Sequence, residues 1–303
     1  MYRNGGEHIV VHVFLILILS LSFAARLGAQ EGAPEEKKKA GVSPESGVQH
    51  KHGLRLYQQQ RYSEAIEAFR LAVELDSSNA AAYLAMGLSY VPLRQFEEAL
   101  SAYQKAVSRD PQYAKAYSAM GTAYMLMEKY QKAKDSYKKA IKSDSTLAKA
   151  YGGLGQVYLR QEQYKAAIDV LKKATRIDPK YSSAYRYLGT AYSRSKQYSK
   201  ALSAYEKATQ LNGRDWRAFY RLSEAYHGAG RYQDAITAAK KCLKLKRKHA
   251  PAQVVLGESY EALGNVTEAV TWYKAAVHDR RWKAYCERKV EDLTRKPEEG
   301  EEE

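Results

Sequence analysis

Histidine and cysteine are the side chains of this sequence best suited to metal binding or nucleophilic catalysis. The seven histidines are scattered, and only His50 and His52 are near neighbours. Two residues apart, these two face different sides of a helix and do not form a metal-binding pair. Cys242 and Cys286 are too few for a disulfide framework, and nothing beyond the presence of both residue types supports a Cys–His nucleophile. The sequence therefore predicts no catalytic residue, no metal and no cofactor.

Two short motifs resemble functional sites. The stretch GGLGQ at 152–156 is rich in glycine but lies within a helical pattern with no preceding strand, so it does not predict a phosphate-binding loop. The stretch NVT at 265–267 is a glycosylation sequon in a predicted turn. Whether Asn265 is modified depends on the host.

The amino terminus has the composition of a targeting segment. Residues 9–25, IVVHVFLILILSLSFAA, are mostly apolar, and their uninterrupted part, residues 13–25, is short for a membrane span but has the length of a signal-peptide core. Residues 1–29 are therefore predicted to be a secretory signal peptide or a membrane anchor. The protein is then exported, either periplasmic or extracellular, or is anchored in a membrane. More basic residues follow the run than precede it, which leaves an anchor with the chain facing the cytoplasm as the alternative. Residues 30–45 read as a flexible linker and residues 296–303 as an acidic disordered tail.

The positive charge of the chain is concentrated between its ends. Residues 1–45 balance five basic against five acidic side chains, and residues 291–303 carry two basic against seven acidic ones. Residues 46–290 therefore hold +20, against +15 for the whole chain. This excess favours acidic partners, although lysines on outward helix faces also serve solubility.

One helical pattern recurs throughout this central region. The segment QYKAAIDVLKKA at 163–174 is one of seven similar segments spaced 34 residues apart, which define seven units beginning at 46, 80, 114, 148, 182, 216 and 250. Position 8 of the unit is glycine except for Ser223, position 20 is always alanine, and position 27 is alanine except for Cys242. We expect two helices per unit that approach closely where the glycine at position 8 faces the alanine at position 20, with large residues at positions 4, 7, 11, 17 and 24 around that contact.

These spacings resemble those of the tetratricopeptide repeat (TPR) family across residues 46–283. The resemblance implies an all-α TPR solenoid, a right-handed superhelix of seven helix-turn-helix repeats, closed by a capping helix at 284–295. His52 and Gln49 replace large apolar residues and suit an exposed first helix, and Pro92 is expected to kink the helix that contains it. The 26 tyrosines are assigned to packing, and both cysteines to small buried positions without a disulfide.

By the same resemblance, the first helix of each unit lines a concave groove. Its inner positions 2, 5, 6, 9, 12 and 13 carry no acid in units three to six before Glu224. The predicted binding residues there are Lys115, Lys149, Gln156, Arg160, Arg186, Tyr187, Thr190, Arg194, Arg217 and Arg221. Thr122 also occupies an inner position. Arginine pairs well with carboxylates, so the groove suits an extended acidic segment.

The function predicted from the sequence is that of a non-enzymatic protein–protein interaction scaffold. Its expected partner is a protein with an extended, acidic segment, and nucleic acid is not expected. Contact with a membrane is expected only through residues 9–25. Two alternatives remain open. One is electrostatic binding to an anionic polymer or membrane surface, and the other is a fixed structural place in a multi-protein assembly. The oligomeric state is left open.

Overall fold

The structure is a computed structural model that describes residues 43–295, and this part of the chain contains fifteen α-helices and no strand. The first helices of the seven units are α1 (Pro44–Gln58), α3 (Ala80–Tyr90), α5 (Ala114–Leu126), α7 (Ala148–Arg160), α9 (Ser182–Arg194), α11 (Trp216–Gly228) and α13 (Ala250–Ala262). The second helices are α2 (Tyr62–Leu75), α4 (Phe96–Arg109), α6 (Tyr130–Ser143), α8 (Tyr164–Ile177), α10 (Tyr198–Leu211), α12 (Tyr232–Leu245) and α14 (Val266–Ala276), and α15 (Lys283–Thr294) follows them. The all-α fold predicted from the repeat is confirmed.

The second helices form because their apolar residues recur at helical spacing. In α8, Ala167, Leu171 and Ala174 lie on one face and are fully buried. The helix ends at Asp178, which has an extended backbone, and its carboxylate accepts the backbone N–H of Lys180 at 2.9 Å. This hydrogen bond gives a backbone N–H of the turn a partner before the next unit begins.

The helices stack in sequence order. Each first helix packs on the second helix of its unit, and that second helix packs on the first helix of the next unit. Successive first helices from α5 to α13 also contact one another, whereas no two second helices of the described chain are in comparable contact. The first helices therefore form the inner side of the stack, because they lie closer together.

The close approach within each unit differs from the predicted one. The position 8 glycines lie closest to the ring or branched side chain at position 24. The alanine at position 20 is among the nearest contacts only in unit two, where a Cβ on Gly87 would lie 3.0 Å from Ala99 O. A Cβ on Gly189 would lie 2.6 Å from the ring of Tyr205, and one on Gly155 would lie 2.5 Å from Leu171 Cγ. The alanines at position 20 are fully buried one helical turn away. The glycine is required because the large side chain of the second helix occupies the space that a Cβ would fill.

Unit six reverses this size relationship. Ser223 replaces glycine at position 8, and Ala239 replaces the large residue at position 24; both are fully buried. Added volume on one helix is thus matched by lost volume on the other.

Several smaller expectations are settled by the described residues. Pro92 does not kink a helix: α3 ends at Tyr90 and a turn follows, because proline cannot continue the hydrogen-bond ladder. His52 is exposed, as predicted, and both cysteines are free and buried. Packing accounts for tyrosines such as Tyr103 and Tyr273, but it is the wrong explanation for Tyr198, whose exposed fraction is 64%.

Three predicted segments fall outside this description. The signal peptide or anchor at 1–29, residues 30–42 of the predicted linker and the acidic tail at 296–303 lie beyond residues 43–295. The predicted end of the linker at residue 45 is wrong, because Pro44 and Glu45 form the start of α1. No helix within the described range is both long enough and apolar enough to cross a membrane.

Candidate functional site

The inner side of the first helices carries most of the predicted binding residues in accessible positions. Five of the seven predicted cations are exposed, and no side chain of the described chain forms an ion pair with them. They are Lys115, Lys149, Arg160, Arg194 and Arg217. These side chains remain available for contacts with another molecule.

Arg186 is not available in the same way. Its side chain is 15% exposed, donates from Nε to Asp215 Oδ2 at 2.9 Å, and stacks at 4.4 Å from the Tyr187 ring centroid. Burial acts to lower the pKa of Arg186, but Tyr187 and Asp215 outweigh it and raise that pKa. Arg186 is thus a charged structural residue that joins α9 to the start of α11.

Asp215 is the acid that the sequence prediction missed. It precedes α11, outside the helical positions taken to be inward-facing, and its carboxylate accepts the backbone N–H groups of Arg217 at 3.0 Å and Ala218 at 3.3 Å. An aspartate directly before a helix is a recognisable N-cap, and that signal identifies it in the sequence. The inner helical positions carry no acid before Glu224, but the turn before α11 supplies one to Arg186.

Arg221 also has an internal partner. Its guanidinium lies 2.8 Å from Glu224 Oε2, and the Tyr220 hydroxyl donates to Glu224 Oε1 at 2.6 Å. Burial alone would lower the pKa of Arg221, yet Glu224 raises it beyond its ordinary value. The positive charge at this point of the groove is largely balanced.

Two depressions lie along the inner side. The first, of about 730 Å³, brings together Lys115, Lys149, Gln156 and Tyr187 of the predicted set, and the Gln156 amide donates to the Tyr187 hydroxyl. The second, of about 680 Å³, brings together Thr190, Arg194 and Arg221. Arg160, Arg186 and Arg217 line neither depression.

The carboxyl-terminal end of the inner side is already occupied by α15. Tyr285 donates to Glu258 at 2.7 Å, and Lys289 donates to Glu261 at 2.7 Å. Burial acts to raise the pKa of Glu261, but the hydrogen bonds from Lys289 and Tyr273 outweigh it and lower that pKa. These two glutamates therefore hold the last helix rather than a ligand.

The fold brings together one Cys–His pair that the sequence did not predict. Cys242 Sγ lies 3.9 Å from His249 Nδ1, and the imidazole packs against the rings of Trp216 and Tyr220. Burial raises the pKa of Cys242 to about 11 and lowers the pKa of His249 to about 4. At neutral pH both groups are uncharged, so this is a packed pair and not a thiolate–imidazolium nucleophile.

The other chemically suggestive motifs are structural as well. Gly152 and Gly153 lie inside α7, and Asn265 caps α14 by accepting the backbone N–H of Glu268 at 3.2 Å. Within residues 43–295, no three His, Cys, Asp or Glu side chains are grouped to hold a metal ion.

A stack of helix hairpins with an open inner groove defines an α-solenoid of the class that binds other proteins along its inner side. The chain belongs to the tetratricopeptide repeat family. The family model described as the tetratricopeptide repeat protein 21 C-terminal ARM domain matches residues 93–254, which is more than half of the chain. Two further family models match shorter stretches: one described as a TPR repeat matches residues 53–93, and one described as a tetratricopeptide repeat matches residues 229–285. Comparison with curated proteins gives no match.

Solved structures share the fold at low sequence identity. PilF of Pseudomonas aeruginosa is 20% identical with a TM-score of 0.63, over 70% of this chain and 98% of its own. A chain of the APC/C hetero-tetramer Cut9–Hcn1 is 18% identical with a TM-score of 0.69, over 82% of this chain and 49% of its own. A tetratricopeptide repeat protein from Parabacteroides merdae is 16% identical with a TM-score of 0.58, over 84% of this chain and 100% of its own. The TPR solenoid is thereby confirmed. Membership of the family indicates the general role of a protein-interaction scaffold.

Proposed function

We propose that the inner groove of units three to six binds an extended segment of a partner protein that is rich in aspartate and glutamate. The observation that carries this proposal is the row of exposed inner cations that have no ion-pair partner in the described chain, of which Lys115, Lys149, Arg194 and Arg217 span all four units. They stand beside Arg186 and Arg221, whose charges are already balanced by Asp215 and Glu224. Ligand recognition thus falls to the exposed cations, of which Arg217 also stacks on the Trp216 ring at 4.5 Å.

The chemistry of these side chains favours carboxylates. Arginine presents a planar fork that matches a carboxylate with two parallel hydrogen bonds, and lysine adds a mobile positive charge. An extended chain reaches the exposed cations of one unit after another along the inner side. No catalytic step is part of this function.

The experiment that tests the proposal needs no known partner. The protein is used to select binders from a random library of displayed short peptides, and the selected peptides are measured again on two variants. The groove variant changes Lys115, Lys149, Arg194 and Arg217 to glutamate. The control variant changes Lys138, Lys172, Lys207 and Lys241 to glutamate, which makes the same charge change on exposed positions of the second helices. Arg186 and Arg221 stay unchanged because their ion pairs support the fold.

We expect the selected peptides to be enriched in aspartate and glutamate, and their affinity to fall more than about tenfold in the groove variant alone, since hydrogen bonds to charged groups contribute about 1.5–3 kcal/mol each. Circular dichroism checks that both variants keep their helices. Equal affinity for the wild type and the groove variant would show that the peptides bind elsewhere.

The alternative of electrostatic binding to an anionic polymer gives a different result in the same assay. Polyglutamate or polyphosphate bound by overall charge is weakened equally by both variants, and its affinity falls steeply as salt rises. A partner held in the groove depends on the groove cations at every salt concentration.

The apolar segment 9–25 supports the further proposal that the protein is exported or anchored at a membrane. Amino-terminal sequencing of the protein recovered from its host tests this proposal. A mature chain that begins near residue 30 supports a cleaved signal, and an intact Met1 contradicts cleavage.

A further inference from the structure

The inner side of the solenoid has its smallest side chains in units three and four. Positions 5 and 6 of the first helix are Ser118 and Ala119 in unit three and Gly152 and Gly153 in unit four. Unit five instead places Arg186 and Tyr187 at these positions. The first depression, of about 730 Å³, lies over these small residues of α5 and α7, and Tyr187 of α9 also lines it.

Two aromatic rings occupy the space that the glycines leave. A Cβ on Gly152 would lie 2.7 Å from the Tyr181 ring, and one on Gly153 would collide with the Tyr137 ring. Both tyrosines line the depression. Tyr137 is held in place by a 3.0 Å hydrogen bond between its hydroxyl and Thr122 Oγ1. The floor is thus aromatic: Tyr137 is fixed and almost fully buried, and Tyr181 is partly exposed.

The walls of this depression are apolar at one end, and at the other end they include a tyrosine that is held in place by its neighbours. Leu84 and Leu88 of α3 line one end, and Leu88 keeps 39% of its surface exposed; Ile177, at 37%, also lines it. Tyr187 lines the opposite end, fixed by Gln156 and by the Arg186 guanidinium. Apolar surface left open in an otherwise polar groove is typical of a binding site.

Charged side chains surround the apolar floor. Lys115 and Lys149 line the same depression and are exposed, whereas Asp178 lies on its rim as the single acid there among the described residues. Carboxylates of a bound segment are therefore attracted at the lysines and repelled near Asp178. The depression therefore suits a segment with one apolar residue on the floor and acidic residues beside it, at the lysines.

We propose that this depression binds a large apolar side chain, such as phenylalanine, of the bound segment, with acidic residues next to it contacting Lys115 and Lys149. The inference rests on the proposed function and adds a specificity to it: acidity alone is not sufficient, and the segment carries an apolar anchor that is placed over Tyr137 and Tyr181. Apolar contact supplies affinity here, and the lysines set the register.

Two labelled synthetic peptides test this proposal by fluorescence anisotropy. Both consist of aspartate and glutamate around one central residue, which is phenylalanine in the first peptide and alanine in the second. We expect the wild-type protein to bind the phenylalanine peptide about tenfold more tightly, because the buried ring removes apolar surface from water.

A pair of matched variants locates the effect. Ser118→Phe fills the depression and is expected to abolish the preference between the two peptides. Ser101→Phe makes the same change at an exposed position of α4 and is expected to preserve that preference. Because the comparison of peptides on the wild type needs no variant, a folding defect in Ser118→Phe does not remove the test.

The outcomes separate the two proposals. If both peptides bind the wild type equally and both are weakened by the double change Lys115→Glu and Lys149→Glu, the apolar anchor is wrong and the acidic groove stands. If neither peptide binds the wild type, both proposals are overturned. A preference for phenylalanine that persists in Ser118→Phe overturns the location in this depression.

Discussion

Asp215 performs two tasks at the start of α11. It caps the helix by accepting the backbone N–H groups of Arg217 and Ala218, and it balances the buried guanidinium of Arg186. Removal of one partner from a buried ion pair leaves the other charge uncompensated. We expect Asp215→Ala to lower the free energy of unfolding by about 2–4 kcal/mol, measured from urea titrations.

Two further variants separate these tasks. Asp215→Asn keeps a good cap but loses the charge, so its stability should lie between those of the wild type and the alanine variant. Asp234→Ala breaks the half-exposed pair with Arg231 and should change the urea midpoint much less. A loss in Asp234→Ala equal to that in Asp215→Ala would show that burial of the pair is not the cause.

His249 makes the stability of the fold depend on pH. Burial lowers its pKa to about 4, with Lys246, Arg221 and Arg281 adding to the effect and Asp279 opposing it. The unfolded chain takes up a proton on His249 near pH 6.5, whereas the folded chain does so only near pH 4. Stability is therefore unaffected by this group above pH 6.5 and is lost between pH 6.5 and 4, by up to about 3 kcal/mol.

The variant His249→Phe tests this dependence, because it keeps a ring against Trp216 and Tyr220 but cannot take up a proton. We expect its urea midpoint to fall less than that of the wild type between pH 6.5 and 4. His52→Phe is the control, since that side chain is exposed. If His249→Phe and the wild type lose stability in parallel, other groups cause the acid sensitivity.

At the scale of the helices, the contact between positions 8 and 24 sets how closely the two helices of a unit pack. Gly189 lies against the Tyr205 ring, whereas unit six has Ser223 and Ala239 at the corresponding positions. We expect Gly189→Ser to destabilise the protein by about 1–3 kcal/mol and Tyr205→Ala by about 3–5 kcal/mol. The double variant should lose at least about 1 kcal/mol less than the sum, because it restores the size relationship of unit six.

A distant pairing is the control for this cycle. Gly189→Ser combined with Tyr273→Ala of unit seven should be additive, because these two residues share no contact partner. Additivity in the adjacent pair as well would contradict the interpretation that the glycine exists to accommodate the ring.

The helices could be predicted from the sequence better than the contacts between their side chains. Glycine, alanine and large residues recur at fixed positions because every unit meets the same steric requirement, so a 34-residue period is visible without a structure. The contact between Asp215 and Arg186 and the pair Cys242–His249 were missed because they depend on how the loops before α11 and α13 lie against neighbouring helices. The mistaken pairing of the position 8 glycine with the position 20 alanine has a related cause: spacing identifies the face of a helix but not which side chain lies across from it.

At the scale of the whole molecule, a solenoid loses stability from its ends, because each unit contacts only its neighbours. The last apolar face is covered by α15, where Cys286 is fully buried with Val254 and Tyr273, and two hydrogen bonds join α15 to Glu258 and Glu261. Deletion of residues 283–303 should therefore reduce the free energy of local opening of α13 and α14 by about 2–4 kcal/mol.

Amide hydrogen exchange measures this loss helix by helix. We expect faster exchange in α13 and α14 and little change in α3 and α4. The change in exchange rate is expected to decrease with distance from α15, because helices contact only their neighbours in the stack and α3 and α4 do not contact the last unit. Equal acceleration in all helices would show that the seven units unfold as one body, and unchanged exchange in α13 and α14 would show that α15 does not protect the end of the solenoid.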